Sequence, residues 1–470
     1  MSYIRINKHY VHLPYLFLGL VELVLLVAAV WLMDRWLATM GELSVGFLSG
    51  PELWWPLLLF AVVLSCCTLS MGVYTALVRE GYSSMVLRTL VSFFLLGSAA
   101  LFVIDLMAGA FTQALIFWSI LLSTAMVLVS RAVFLLLVDT DELRRRVVIF
   151  GAGVRAQRLL SQLAPEQNVV GVKVIGCVPS GNEPVAVDEN LVLPVPQDWV
   201  QFARSHQVSE IVIAPDERRQ RDGGLFPLAA FVDCKLHGTP SSDTLGFCER
   251  ELGKIDVEAL KPGWMLFSDG FKYSRSRSVA KRLFDLGLAS LFILILWPFM
   301  LLTAIAVLLE SGRPVLYHQE RVGLNGRCFR IYKFRSMRQD AEKGGKAVWA
   351  QKNDSRITRV GAFIRNTRLD ELPQLYNVIR GDMSFVGPRP ERPEFVKDLS
   401  DQIPFYDMRH KVKPGLMGWA QLKYPYGASV EDARGKLQYD LYYTKNHSFL
   451  MDMLIMIQTV EIVLLGKGVH

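Results

Sequence analysis

Two adjacent carboxylates, Asp370 and Glu371, sit in a frame of arginines, with Arg365 and Arg368 before them and Arg380 and Arg389 after. Phosphoryl chemistry uses such a set. It needs cations for the phosphate oxygens, a carboxylate to attack phosphorus, and a second carboxylate for a hard cation such as Mg2+. Pro373 follows the acids. A helix tolerates proline only in its first turn, so Asp370 is expected at or near a helix N-terminus, as N-cap or in the first turn. Free N–H groups and the positive dipole end favour phosphate there. Neighbouring helical residues point roughly 100° apart, so one proton shared as a dyad does not fit, and a nucleophile beside a metal ligand does. The competing reading is an acid pair that complements the dipole and meets surface arginines. The Pro, Gly and Arg spacing favours the chemical one.

The stretch Leu369-Asp370-Glu371-Leu372-Pro373-Gln374, followed by Gly381-Asp382-Met383-Ser384-Phe385-Val386-Gly387-Pro388-Arg389-Pro390, resembles the signature of the bacterial sugar transferases. These are monotopic-type polyprenyl-phosphate glycosyl-1-phosphate transferases that begin exopolysaccharide and O-antigen assembly. The resemblance extends to Lys333-Phe334-Arg335-Ser336-Met337, to Arg409–Gln421 and to Tyr439-Asp440-Leu441-Tyr442-Tyr443, covering roughly residues 279 to 470. It implies that Asp370 attacks the sugar-bearing phosphate of a nucleoside diphosphate sugar, with a UDP-sugar expected by analogy. A polyprenyl phosphate such as undecaprenyl phosphate then takes the sugar phosphate from the aspartyl intermediate. It further implies Mg2+ on Glu371, phosphate contacts from Lys333, Arg335, Arg365 and Arg389, and a supporting role for Asp440. Arg335, Arg409 and Lys411 read equally well as structural salt-bridge partners. Gly387, Pro388, Pro390 and Gly415 are expected to shape backbone, and His410 and His447 to be structural. Arg368 departs from the small residue that many relatives carry.

These residues must be held where a soluble donor meets a lipid acceptor, and the rest of the 470-residue chain suits that task. Half of it is hydrophobic, concentrated in four runs within residues 1–140: Leu13–Met33, Leu53–Val73, Val86–Met107 and Ala114–Val138. Each has the ~20 residues that cross a ~30 Å hydrocarbon core. Arg5, Lys8, Arg79, Arg88 and Arg144–Arg146 lie on one side, and the other two loops carry Asp34, Glu42, Glu52 and Asp105 against Arg35 alone. The positive-inside rule then puts both ends of the unit in the cytoplasm of a bacterial inner membrane. The net charge of +7 suits phosphorylated substrates and anionic lipid. No nucleic-acid motif accompanies it, and the six cysteines and eight histidines show no disulfide or metal spacing. A homodimer is the expected assembly.

A Rossmann-like α/β domain is expected over 147–267. The strand Val147–Phe150 runs into the turn Gly151-Ala152-Gly153-Val154-Arg155-Ala156 and a helix ending near Ala164, with further strands at Val169–Val178 and Glu210–Ala214. The acid that should close the second strand of a dinucleotide site is missing, since Cys177, Val178 and Pro179 stand there and the next acid is Glu183. A structural or regulatory domain is expected over a working cofactor site. The alternative is a membrane-bound NAD-dependent nucleotide-sugar oxidoreductase or dehydratase, which leaves residues 330 to 443 unexplained. Asp216–Gly224 reads as a surface loop and 268–278 as a basic linker to a mostly α-helical catalytic domain over 279–470. That domain opens with the apolar run 283–309, broken by Asp285 and Pro298 and flanked by cations at both ends. Cations on both sides oppose crossing, so a re-entrant helix bent near Trp297-Pro298 is expected, with a kinked spanning helix as the competitor. Phe449–Leu465, carrying Asp452, Gln458 and Glu461, reads as an interfacial helix or as one packed on the domain core.

Overall fold

A computed structural model describes residues 3–6, 9–40, 54–71, 73, 82–108, 111–137, 144–164, 171–181, 183–216, 226–260, 263–264, 268, 270–271, 274–338, 356–425, 427 and 429–465. The loop expected after Asp216, Lys272 of the expected linker, and Lys8, Glu42, Glu52 and Arg79 of the orientation argument lie outside the described residues. The chain divides into two compact units, 1–247 and 248–470.

In the first unit, a hairpin of β1 (Tyr3–Ile6) and β2 (His9–His12) precedes a set of mostly apolar helices. They are α1 (Leu13–Thr39), α2 (Trp54–Ser70), α3 (Tyr82–Leu90), α4 (Ser98–Ala108) and α5 (Gln113–Leu137), with a π-helical stretch, Val91–Gly97, joining α3 to α4. Leu16–Thr39, Met85–Leu106 and Gln113–Leu137 are long and apolar enough to cross a membrane. The 17-residue α2 is shorter, about 25 Å at 1.5 Å per residue. The four apolar runs fall on these helices over their described residues. Phe60, Leu64, Phe93, Leu101 and Val127 form the shared core. Within it, Arg131 donates twice to Glu22, at 2.7 Å each, and once to Thr89. Pairing of this kind is what makes a charge tolerable inside an apolar bundle.

The same unit carries a parallel sheet of β3 (Arg145–Phe150), β4 (Val172–Val178), β5 (Glu210–Ile213) and β6 (Ser241–Asp243) in the order β4-β3-β5-β6. Between the strands run α6 (Val154–Leu163), α7 (Trp199–Ser205) and α8 (Leu228–Leu236). The buried centre of the sheet is apolar, with Val147–Phe150, Cys177, Val178, Ile211 and Val212 all buried, as expected where helices cover a parallel sheet. Phe150, Trp199, Ile211 and Phe231 are packed together.

The second unit begins earlier than the sequence suggests. Residues 248–267, expected to close the α/β domain, belong to it. Ile255, Val257 and Leu260 are buried against Val396, Leu399, Ile403 and Leu437, and Trp419 Nε1 donates to the Gly253 carbonyl at 2.7 Å. These apolar side chains find their burial in the C-terminal core, which no local pattern announces. The expected linker is also partly helical, since α9 (Arg275–Ser311) takes up its last four residues. There follow the antiparallel hairpin β7 (Leu316–Val322) and β8 (Cys328–Phe334), then α10 (Arg359–Asn366), α11 (Gln374–Arg380), β9 (Ser384–Val386) and α12 (Pro393–Gln402). Last come β10 (Gly415–Met417), α13 (Trp419–Lys423), α14 (Val430–Asn446) and α15 (Phe449–Leu465). Of the two readings of α15, packing on the core holds: Ile455 belongs to the catalytic core, and Met453 and Ile457 are buried as well.

Candidate active site

Backbone geometry brings the two acids to the same place as the cations. Thr358 caps α10 by accepting from Gly361 N at 2.9 Å, and Arg365 lies in the last turn of that helix. Arg368 then adopts a left-handed conformation, φ 61°, which is uncommon for a side chain of its size. The chain thereby reverses into a 3-10 turn, Leu369–Glu371, that holds both acids. Pro373 is the N-cap of α11, so Asp370 precedes the helix rather than entering its first turn. Asn377 ties α11 to β8: its Nδ2 donates to the Arg330 carbonyl at 2.7 Å and its Oδ1 accepts from Tyr332 N at 3.2 Å. That staple sets Lys333 of β8 opposite Glu371.

Arg389 arrives from the other side, after β9. The parallel pairing of β9 with β10 brings backbones together where a Cβ on Gly387 would lie 2.2 Å from the Lys413 carbonyl oxygen. Glycine at 387 is thus required by close approach. Beneath β9, Asp285 of α9 accepts from Ser384 Oγ at 3.0 Å and Phe385 N at 3.2 Å. Arg282 donates to the carbonyls of Val378 and Ile379, the last turn of α11.

At the centre, Glu371 Oε1 meets Lys333 Nζ at 2.7 Å and Arg389 Nη2 at 3.0 Å. Burial alone would raise the Glu371 pKa, but the Arg389 and Lys333 charges outweigh it and hold the group well below the usual carboxylate range. Asp370 is 7% exposed, and its Oδ1 is buried with no hydrogen-bond partner. Burial, then the neighbouring Glu371 charge, push its pKa up, against the pull of Lys333, Arg365 and Arg368. Burial also lowers the Lys333 pKa, with Arg389 adding to it and Glu371 opposing. Arg365 Nη1 is buried and unpartnered. The two acids thus differ in kind, one pinned and ionised, the other with a lone oxygen and a raised pKa.

Arg335 stands apart from this group. Its Nη2 donates to the Ser311 and Gly312 carbonyls, 2.6 Å each, at the C-terminus of α9. Of its two sequence readings, the structural one accounts for these bonds, although with a helix end in place of a salt-bridge partner. Asp440 lies one layer behind Arg389: its Oδ2 is 2.7 Å from Arg409 Nη2, which donates to the Arg389 carbonyl at 2.9 Å. Arg409 Nη1 is 2.8 Å from the Tyr406 hydroxyl. Sequence reading passed over Asn377 and Arg282, which carry no local signal, while Asp285 was visible as the one acid in an apolar run.

Mg2+ prefers one or two carboxylates plus substrate phosphates over an all-protein cage. The site suits that preference. Glu371 is ionised, both of its cations engage Oε1, and among the described residues no group of three His, Cys, Asp or Glu forms a cage.

An apolar membrane bundle, an α/β sheet and a cation-framed acid pair define a membrane protein with a phosphate-handling site. The sequence profile described as Bacterial sugar transferase matches residues 276–466, and that described as CoA-binding domain matches 69–220. The UDP-glucose:undecaprenyl-phosphate glucose-1-phosphate transferase of Escherichia coli (strain K12) is 41% identical over 322 residues, covering 67% of each chain. Its namesake in Xanthomonas campestris pv. campestris is 32% identical over 335 residues, 69% of this chain and 68% of that one. The UDP-N-acetylgalactosamine-undecaprenyl-phosphate N-acetylgalactosaminephosphotransferase of Aeromonas hydrophila is 50% identical over 188 residues, 40% of this chain and 44% of its own length. The chain belongs to the bacterial sugar transferase family.

Proposed function

We propose that this enzyme transfers a sugar 1-phosphate from a UDP-sugar to undecaprenyl phosphate and thereby initiates exopolysaccharide synthesis. The observation that carries the reading is the unequal acid pair, Glu371 clamped by Lys333 and Arg389 beside the buried, half-unpartnered Asp370. In the first step an Asp370 carboxylate oxygen forms a bond to the sugar-bearing phosphorus. The bond from that phosphorus to the bridging oxygen breaks, and UMP leaves with the electron pair. In the second step an oxygen of undecaprenyl phosphate attacks the same phosphorus, and the bond to Asp370 breaks to return the carboxylate. Arg365 and Arg389 would take phosphate oxygens, whose charge they would offset at little reorganisation cost. Glu371 would hold Mg2+, which supplies neutralisation of the diphosphate when bound.

The lipid acceptor calls for a site at the membrane surface, on the cytoplasmic face where UDP-sugars are found. A re-entrant α9 fits that demand. Its N-terminal half packs on the catalytic unit through Arg282, Asp285 and Phe292, the last 5.6 Å from the Phe385 ring. Its C-terminal half packs on the same unit through Met300, Ala304 and Val307, which meet Phe334 and Ile364. The stretch between these packed halves, from Phe292 to Met300, is only ~12 Å long, although α9 as a whole is long and apolar enough to cross a ~30 Å core. Leu294, Ile295, Trp297, Phe299 and Leu302 are exposed in and beside that gap, and the helix runs through Pro298.

The test is UMP release by the full chain in detergent with Mg2+, undecaprenyl phosphate and a panel of UDP-sugars. Lipid-dependent release is expected with one donor, and Asp370→Asn should lower it at least about a thousandfold with folding intact. Release at the wild-type rate by that variant would remove Asp370 from the mechanism.

A further inference from the structure

The α/β domain contains a turn built like those that hold phosphates. Gly151 has φ 119°, and a Cβ there would lie 2.5 Å from the Ala214 carbonyl oxygen. The turn follows β3, beside β5, where the strand order β4-β3-β5-β6 reverses. Nucleotides sit at such a switch point in open α/β sheets, with pyrophosphate on the N–H groups that open the next helix. Those groups here are already taken by the chain itself. Asp216 Oδ2 accepts from Val154 N and Oδ1 from Arg155 N, each at 2.8 Å. Glu183 Oε1 accepts from Ala152 N at 2.7 Å and Ser180 N at 3.2 Å, and its Oε2 from Asp216 N at 3.1 Å. The position a Cβ would occupy on Gly153 is 2.0 Å from Asp216 Oδ2, so the carboxylate fills the space that this glycine leaves open.

We propose that Asp216 and Glu183 are the resident anions of this turn, and that the domain takes neither CoA nor a dinucleotide there. A pyrophosphate entering the crevice would have to displace a bidentate carboxylate from a helix N-terminus and then face two negative charges. The residues therefore do not fit the ligand that the CoA-binding profile implies. The acid that sequence reading looked for on the ribose is missing, and Glu183, beyond that position, serves the turn instead. The oxidoreductase alternative loses its cofactor site by the same argument.

Hydrogen exchange read by mass spectrometry on the full chain tests this, with equilibrium dialysis alongside. In the wild type, exchange over residues 152–156 is expected to be slow and unchanged by millimolar CoA, NAD+ or pyrophosphate, none of which is retained in dialysis. Asp216→Ala should speed exchange there at least about tenfold, because the opened amides lose their acceptor. If that variant fails to fold, Asp216→Asn keeps the shape, loses the charge and should speed exchange in the same segment. Retention of any of the three ligands by the wild type, with added protection of the turn, would overturn the proposal. So would exchange indifferent to the loss of the Asp216 charge.

Discussion

At the scale of residues, the proposed mechanism rests on the division between two neighbouring acids, and that division carries a pH signature. A raised Asp370 pKa means that the nucleophile ionises only above the ordinary aspartate range near 3.9. A lowered Lys333 pKa means that its charge is lost below the ordinary lysine range near 10.4. Activity should therefore rise through an acid limb displaced upward and fall through a basic limb displaced downward. The profile of kcat/KM for UMP release reads both, and an acid limb at or below the ordinary aspartate pKa would contradict the assigned environment. Asp440 makes a different prediction because it acts through Arg409. Asp440→Ala strands a buried guanidinium, which costs about 3–5 kcal/mol, and loosens the carbonyl contact that holds Arg389. Thermal unfolding should show the loss. KM for the donor should rise more than kcat falls, a split that simple destabilisation would not produce.

At the scale of elements, the sequence displayed what was periodic or punctuated. The apolar runs, the Gly151 turn and the Pro373 break were readable because each obeys a local rule. The burial of 255–260 was not, because those apolar residues are satisfied only by partners such as Leu399 and Leu437, far along the chain. Asp216 was hidden for the same reason, lying 62 residues from the amide that it accepts from, as was the bonding of Arg335 to the end of α9. The anchoring helix α9 invites a direct check. Cysteines at Ser276 and His318, in a background with the exposed Cys66 and Cys328 replaced by serine, should both react with an impermeant maleimide from one face only. Labelling of the two from opposite faces would require a spanning helix.

At the scale of the whole molecule, the division at Phe247/Cys248 locates what the catalytic unit needs. A chain beginning at Cys248 keeps the segment whose Gly253 carbonyl receives the Trp419 indole, and it should retain lipid-dependent UMP release in detergent. A chain beginning at Lys272 lacks that segment and should aggregate or lose most of its activity. Equal behaviour of the two fragments would show the segment to be dispensable. One feature of α9 reaches further. The helix whose apolar middle is exposed is also the one whose Arg282 and Asp285 bond to α11 and β9. On the re-entrant reading, bilayer insertion would be linked to assembly of the catalytic core, with lipid acting as a ligand of the native state. Transfer to water without lipid or detergent should behave as denaturation does, cooperative and accompanied by loss of the site. A version of this enzyme solubilised by replacing its exposed leucines would then surrender part of its folding free energy along with its anchor.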